Sequence, residues 1–483
     1  MSGRTGTAVK AVLAGVMMGL AAGGAAGAAG VAARPNILLI LSDDHSAPYL
    51  GCYGYKGLPT PNLDRFAAEG MRFTNAFTAA PQCVQSRVSL LTGRSPAAAR
   101  VGRFSSALPA DVPSLIDLLR AEGYYTGVCR RQFHLDGWGR PGGLIWKMLQ
   151  EMGMQTFKNG RVDYYDYNSP QGQTAAKMND FLGRVPGGKP FFLWVNFNDP
   201  HHPWDPSAQR PALKPGDMTA PGYLPDLPGV RSDLAAYCGE IARMDEEFQR
   251  VMDILAQRGL AENTIVVFMG DNGMAFPHGK GSLYDPGLHV PLMVRWPGAV
   301  QAGTTAEELI SGEDLTPTLL EAAGLTAPKE MSGVSFAKLL RGEAFTGRRC
   351  VFAMRGPHGD AVFEETTPSS GYDLGRCVRT RRYKLIINYT PWQRYEPTDS
   401  AKEAGWVEMT EAHRAGKLGA DFEKAYFTCP RPIVELYDLE KDPWELHNRA
   451  GQAEYAQAER ELKMELQRKM MLDYDFLPLP LAQ

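Results

Sequence analysis

The stretch RPNILLILSDDH, residues 34–45, decides the predicted fold. Its core NILLILS (36–42) is an almost continuous apolar run, which is typical of a strand buried on both faces of a parallel sheet. The run ends directly at two acids, Asp43 and Asp44. Because ligands collect at the carboxyl ends of the strands in an open parallel sheet, these acids are candidate site residues.

Three further apolar runs repeat this pattern along the chain. They are PFFLWVNFNDPHHPW (190–204), TIVVFMG (264–270) and VPLMVRWPG (290–298), each read as another buried strand. Between the first two, apolar residues recur at spacings of three and four, which predicts an amphipathic helix from Ser232 to Gly259. Strands that alternate with helices predict an α/β fold with a mostly parallel sheet flanked by helices.

The pattern changes after Gly342 to shorter alternating segments, followed by a polar helix. The segments are CVRTRRYKLIIN (377–388) and VELYDLE (434–440), and the helix runs from about Glu454 to Met471. Alternation of this kind is typical of antiparallel strands with one solvated face. We therefore predict a catalytic domain at 34–342 and a C-terminal subdomain of antiparallel sheet plus helix at 343–483.

Residues 1–33 have the pattern of a signal peptide. Arg4 and Lys10 precede an apolar core, and small residues then offer Ala26-Gly27-Ala28 as a cleavage site. An uncleaved anchor is the alternative, but the second half of the run is nearly all glycine and alanine, which suits a membrane span poorly. We expect an exported protein, secreted or periplasmic, without stable membrane insertion.

Composition excludes several function classes. The formal net charge is -3 and no basic block occurs, so the charge pattern predicts no nucleic-acid partner. The seven cysteines have no C-x-x-C spacing, which disfavours zinc and thioredoxin-like chemistry. An odd count leaves at least one cysteine outside any disulfide, and the pairing cannot be read from the sequence.

Acidic and amide side chains follow two of the predicted strands. Asp43 and Asp44 follow the first, and Asp271 and Asn272 follow TIVVFMG. Three carboxylates that converge without a cation would repel one another, so a divalent ion is the simplest explanation. Oxygen ligands favour Ca²⁺ or Mg²⁺ over zinc. Taken singly, each of these residues could instead be an ordinary turn or cap residue.

A lone cysteine in PQCVQSRVSLLTGR (81–94) raises a separate question. Cys83 could be one more small buried hydrophobe near a helix start. The chain, however, resembles the formylglycine-dependent sulfatases of the alkaline-phosphatase superfamily from about Pro35 to Asn448. The resemblance is carried, in the family's order, by RPNILLILSDDH, TPNLDRFAAEGMRFTNAFTAAPQCVQSRVSLLTGR, PFFLWVNFNDPHHP, GDNGMAFPHGKGSLYDPGLHVPLMVRWPG and ELYDLEKDPWELHN.

The resemblance implies a site in which Cys83 is oxidised to formylglycine by a formylglycine-generating enzyme. Its hydrated aldehyde would then be the nucleophile, with one Ca²⁺ held by Asp43, Asp44, Asp271, Asn272 and the residue derived from Cys83. Arg87 would hold the hydrate, and Lys280 and His201 would face the sulfate and the leaving atom, with His201 as general acid. His134 would act as base when sulfate is expelled. Without the ordered motifs, each basic residue would be read as structural.

Two positions depart from the family pattern. Gln85 stands where the modification signature Cys-x-Pro-x-Arg has proline, which could slow conversion of Cys83. The family's Gly-Lys-x-His segment is replaced by CRRQFH (129–134), so the usual lysine is absent. We expect Arg131 to take the sulfate-binding role, with Arg130 as second choice, because a guanidinium can grip two sulfate oxygens.

The sequence therefore predicts an exported, calcium-dependent sulfatase. Two segments, 221–247 and 271–287, look closest to the heparan N-sulfatase (sulfamidase) branch, which implies a sulfated carbohydrate substrate of the glycosaminoglycan amino-sugar type, N- or 6-O-sulfated. A phosphohydrolase or phosphonate hydrolase of the same superfamily is an alternative that Cys83 disfavours. A non-catalytic sulfated-glycan binding protein, blocked at maturation by Gln85, is another.

Overall fold

The structure is a computed structural model that describes residues 34–104, 106–131, 134–136, 147–148, 151, 160–167, 169–210, 212–358 and 371–477. The predicted signal peptide, residues 1–33, lies outside these described residues.

The described residues form fourteen strands and eleven α-helices. The strands are β1 Asn36–Ser42, β2 Met71–Phe73, β3 Ala76–Phe77, β4 Tyr125–Cys129, β5 Tyr164–Asp166, β6 Phe191–Asn196, β7 Thr264–Gly270, β8 Leu292–Arg295, β9 Thr304–Ala306, β10 Ile310–Ser311, β11 Val351–Arg355, β12 Gly375–Arg379, β13 Tyr383–Asn388 and β14 Val434–Asp438. The helices are α1 Pro61–Glu69, α2 Cys83–Thr92, α3 Leu115–Ala121, α4 Thr174–Arg184, α5 Pro228–Gln257, α6 Asp285–Leu288, α7 Leu315–Ala322, α8 Ala337–Leu340, α9 Ala404–Arg414, α10 Ala420–Phe427 and α11 Ala456–Leu472.

The main sheet has eight strands in the order β5-β4-β6-β1-β7-β8-β2-β9. Strands β5, β4, β6, β1 and β7 run parallel, and every residue of β1 is buried, as its apolar run predicts. Two large apolar clusters, one on each face of the sheet, pack it against helices. The predicted α/β architecture with a mostly parallel sheet is confirmed.

The run at 290–298 forms a strand, but the expected parallel direction is wrong. Strand β8 pairs antiparallel with both β7 and β2. Between β7 and β8 the described chain has only the four-residue helix α6, and a parallel connection needs a crossover long enough to return the chain to the other end of the sheet. The chain instead turns back after the loop that carries Asp271 and Asn272.

The long predicted helix is present as α5, which begins four residues before Ser232 with Pro228 in its first turn. The C-terminal prediction of an antiparallel sheet plus helix is also confirmed. Strands β11, β12, β13 and β14 are sequential antiparallel neighbours, and α11 packs on them through Leu462 and Leu466. The run 377–388 supplies two strands of this sheet, and the boundary near residue 342 stays a prediction.

All seven cysteines are free, in agreement with the absence of a pairing pattern. Among the described residues, no helix combines the length and the apolar composition that a membrane crossing requires.

Candidate active site

The ends of β1 and β7 place the predicted acids side by side. Ser42 and Gly270 are register partners at the carboxyl ends of these parallel strands, so the loops that follow leave from one point. The backbone N–H groups of Asp44 and Asn272 both donate to Oδ1 of Asp271, at 2.8 and 2.7 Å. Nδ2 of Asn272 donates to Oδ1 of Asp44 at 2.8 Å. The sheet thus brings the predicted acids and the amide into one buried cluster.

Cys83 is the first residue of α2 and is only 1% exposed. Its Sγ lies 3.7 Å from Oδ1 of Asp43 and 3.8 Å from Oδ1 of Asp44. Burial raises the pKa of the Cys83 thiol well above its usual value, against the opposing charge of Lys280. An unmodified cysteine here is protonated at neutral pH and is a weak nucleophile.

Arg87 lies one helical turn beyond Cys83 and is completely buried. Its Nη1 is 2.6 Å from Oδ2 of Asp271, and its Nη2 is 3.2 Å from Oδ1 of Asp43. Nη1 also donates to Nδ1 of His134 at 2.8 Å. Burial, with Arg87 and Arg131, holds the pKa of His134 well below its usual value, so this imidazole is neutral.

The two consecutive arginines after β4 point to different partners. Nη2 of Arg131 is 2.7 Å from Oδ2 of Asp43 and also donates to Asn198. Nη1 of Arg130 instead donates to the side-chain oxygen of Gln171 at 3.1 Å. Both residues have positive φ, 65° for Arg130 and 59° for Arg131, so the tight turn directs the two side chains apart. The geometry favours Arg131 over Arg130 as the cation of the site.

Lys280 contacts three side chains of the cluster. Its Nζ lies 2.8 Å from Oδ2 of Asp44, 2.7 Å from Oδ2 of Asp399 and 3.3 Å from Nε2 of His201. Because an ammonium can only donate, Nε2 of His201 accepts and carries no proton in this arrangement. Burial and the charge of Lys280 lower the pKa of His201 to about 4.

The donor set fits a hard divalent cation. Ligand atoms of Asp43, Asp44, Cys83 and His201 all lie within 4.8 Å of one another. Oδ1 of Asn272 is buried and has no hydrogen-bond partner among the described residues, as a cation ligand would. Asp271 differs, because Oδ2 faces Arg87 and Oδ1 accepts two backbone N–H groups. Carboxylate and amide oxygens are the ligands that calcium prefers.

Sequence reasoning missed three polar residues of this cluster. Asn196 is the last residue of β6 and Asn198 follows it, and they accept from Arg87 at 3.4 Å and from Arg131 respectively. The rule that selected Asp43 and Asp271, polar residues at the end of a buried strand, could have found both. Asp399 comes from the C-terminal region and contacts Lys280, and no motif in the sequence marks it.

Comparison with known proteins gives a family and several relatives. The family model "Sulfatase" matches residues 35–325, and the model "N-sulphoglucosamine sulphohydrolase, C-terminal" matches 277–415. An ulvan-active sulfatase of Formosa agariphila is 28% identical over 92% of this chain and 76% of its own length. The human N-sulphoglucosamine sulphohydrolase is 29% identical over 88% of each chain.

One solved structure, described as a complex with its substrate D-glucosamine-2-N,6-O-disulfate, superposes with a TM-score of 0.68. It covers 93% of this chain and 100% of its own, at 20% identity, which shows a shared fold. The first family model alone matches more than half of the chain and contains every predicted site residue. The chain therefore belongs to the sulfatase family of the alkaline-phosphatase superfamily and is a sulfuric ester hydrolase.

Proposed function

We propose that the chain is an exported sulfatase that hydrolyses sulfate esters or sulfamates of glycosaminoglycan-type amino sugars. One observation carries this proposal. Cys83, at the start of α2, lies within 4 Å of two buried carboxylates, and the cationic side chains of Arg87, Arg131 and Lys280 are part of the same cluster. A sulfuryl group carries negative charge on its oxygens, so a site that cleaves it must present cations there.

Conversion of Cys83 to formylglycine would supply a hydrated aldehyde whose hydroxyl is the nucleophile. The protonated state of the buried thiol supports this proposal, because the unmodified side chain is poorly suited to attack. Calcium, held by Asp43, Asp44, Asn272 and the converted residue, with Asp271 beside it, would supply a Lewis acid for a sulfuryl oxygen.

The remaining side chains bind the sulfuryl group and move protons. Arg131 and Lys280 would hold its oxygens and exclude water from them, while Arg87 stays fixed between Asp43 and Asp271. His201 would protonate the leaving oxygen or nitrogen of the sugar. Burial and the charge of Lys280 depress the pKa of His201, and a bound sulfate next to Lys280 would offset the second of these causes. His134, kept neutral by burial and by Arg87, would accept the proton released when sulfate leaves.

The relatives support the proposed substrate class. The human relative is an N-sulphoglucosamine sulphohydrolase, and the structural neighbour was solved with a glucosamine disulfate. The ulvan-active relative makes other sulfated polysaccharides the second class. The phosphohydrolase alternative is weaker, because the relatives named here are sulfatases and the nucleophile position holds cysteine. Residues 1–33 support export through their signal-peptide pattern.

The test is sulfate release from four compounds by enzyme whose Cys83 conversion has been verified, in the presence of calcium. The compounds are glucosamine N-sulfate, N-acetylglucosamine 6-sulfate, a galactose sulfate and an aryl sulfate. We expect turnover of one or both glucosamine sulfates and none by a Cys83→Ala variant. Turnover confined to the galactose or aryl ester would overturn the amino-sugar assignment. Binding without turnover by fully converted protein would favour a binding protein.

A further inference from the structure

A large open cavity lies in the C-terminal region, separate from the Cys83 cluster. We call it the Trp392 cavity. Its volume is about 850 Å³, and none of the predicted site residues lines it. Residues on its wall include Trp392, Arg394, Tyr395, Trp406, Arg414 and Phe427. The proposed reaction assigns it no role.

Aromatic rings form one wall of the Trp392 cavity. The ring of Trp406 stacks on Phe427 with centroids 5.5 Å apart and 9° between the planes, and His413 also stacks on Phe427, at 4.0 Å. Tyr395 meets Trp406 edge to face at 5.8 Å. Trp392 is 62% exposed, which is unusual for so large an apolar side chain. Trp406 is only 8% exposed, so the exposed indole of Trp392 is the aromatic surface that suits the apolar face of a sugar ring.

Two uncompensated cations give the Trp392 cavity its charge. Arg394 and Arg414 are exposed on its wall, and neither forms an ion pair with a carboxylate in the part of the chain that the structure describes. His413, in contrast, is paired with Glu423 at 2.7 Å. Glu396 is the acid of the wall, and burial raises its pKa. Guanidinium groups bind sulfate through two parallel hydrogen bonds, so the charge pattern fits a sulfated ligand.

A single segment joins the Trp392 cavity to the catalytic cluster. The hydroxyl of Tyr395 accepts from the backbone N–H of His278 at 2.7 Å, two residues before Lys280. Asp399, on the same segment, lies 2.7 Å from Nζ of Lys280. Glu396 and Asp399 are three residues apart, so their Cα atoms are separated by at most about 11 Å. Glu396 of the cavity wall and Asp399 beside Lys280 are therefore within the length of a short oligosaccharide of each other.

We propose that the Trp392 cavity is a subsite for a second sulfated sugar, linked to the sugar whose sulfate is removed at the Cys83 cluster. Arg394 and Arg414 bind its sulfate, and the exposed indole of Trp392 contacts its ring. The inference rests on the proposed function and deepens it, because it predicts a polymeric substrate read over more than one sugar. The enzyme then binds oligosaccharides more tightly than the monosaccharide that carries the same reacting sulfate.

The test compares two substrates with the same terminal glucosamine sulfate, a monosaccharide and a heparan-sulfate-type tetrasaccharide. The variant is Arg394→Gln with Arg414→Gln, which removes both cations and keeps long polar side chains. We expect its KM for the tetrasaccharide to rise about tenfold, because the two lost ionic contacts are solvent-exposed and therefore weakened by water, while kcat/KM for the monosaccharide stays at the wild-type value. An equal change with both substrates, or no change with either, would overturn the inference.

Two further arms separate this inference from the proposed function. Arg460→Gln, which removes an exposed arginine of α11, is the matched control and should change neither substrate. Calorimetry with the tetrasaccharide and the Cys83→Ala protein measures binding without turnover, and the double variant should weaken that binding about tenfold. Unchanged binding would refute the subsite even if the wild-type enzyme is active. If the double variant binds the tetrasaccharide more weakly but the wild-type enzyme releases no sulfate, the subsite is supported and the proposed function is refuted.

Discussion

Separate replacement of the two consecutive arginines by glutamine tests the site most directly. Arg131→Gln and Arg130→Gln form a matched pair, because both residues have positive φ and both lose a guanidinium. Of the two, Arg131 contacts Asp43, at 2.7 Å, whereas Arg130 donates to Gln171. We expect Arg131→Gln to lower kcat/KM on glucosamine sulfates and Arg130→Gln to change it by less than about threefold.

The magnitude follows from the type of contact that is lost. A hydrogen bond between charged groups contributes about 1.5–3 kcal/mol, and about 1.4 kcal/mol corresponds to a factor of ten. Loss of the Arg131 contact to the sulfuryl group should therefore reduce kcat/KM roughly 10- to 150-fold. If sulfuryl oxygens gain charge during transfer, kcat falls as well as KM rising, because the lost contact is stronger in the transition state.

The assay measures sulfate release together with calcium binding by calorimetry. The positive charge of Arg131 lies next to Asp43 and would repel a calcium ion bound there. We therefore expect Arg131→Gln to keep or raise the calcium affinity of the protein. A fall in activity that tracks a loss of calcium would contradict a role in sulfate binding. A larger effect of Arg130→Gln would show that the sulfate-binding position is one residue earlier. Thermal unfolding of both variants controls for folding.

Three further predictions concern the metal, maturation and pH. Asp44→Asn should abolish the rise in Tm that millimolar calcium gives the wild type, because a negative ligand is lost while asparagine tolerates the φ of 61°; an unchanged shift would remove Asp44 from the cation site. Gln85→Pro should raise the formylglycine fraction of Cys83 in a converting host, measured by peptide mass, because it restores the proline of the modification signature. The helix should persist, since Pro is tolerated in the first turn of a helix. An equal fraction would show that Gln85 does not limit conversion. Burial raises the pKa of Asp233 to about 7, so the folded state binds its proton more tightly and stability falls as pH rises from about 4 to about 7. Asp233→Asn should therefore raise Tm at pH 8 relative to the wild type and not at pH 4, with the exposed Asp217→Asn as control; equal shifts at both pH values would contradict this reasoning.

The sequence predicted the parts of this protein that depend on local pattern. Continuous apolar runs predicted β1, β6 and β7, because a strand buried on both faces is apolar throughout. Apolar residues at spacings of three and four predicted α5, because a helix buried on one face repeats at that spacing. The acids at Asp43 and Asp271 were found for a related reason. In a parallel sheet the strands end at one edge, so residues after two separate strands meet there.

Only the tertiary structure decided the relations between distant segments. The direction of β8 depends on how the loop after β7 returns the chain, and an apolar run reads the same in either direction. The different directions of the Arg130 and Arg131 side chains depend on a turn with two successive positive φ angles, which the sequence does not reveal. The contact of Asp399 with Lys280 joins the C-terminal region to the catalytic loop, and the Trp392 cavity forms where that region folds back. Such contacts arise from packing between elements far apart in the chain, and packing leaves no period in the sequence that a local pattern could reveal.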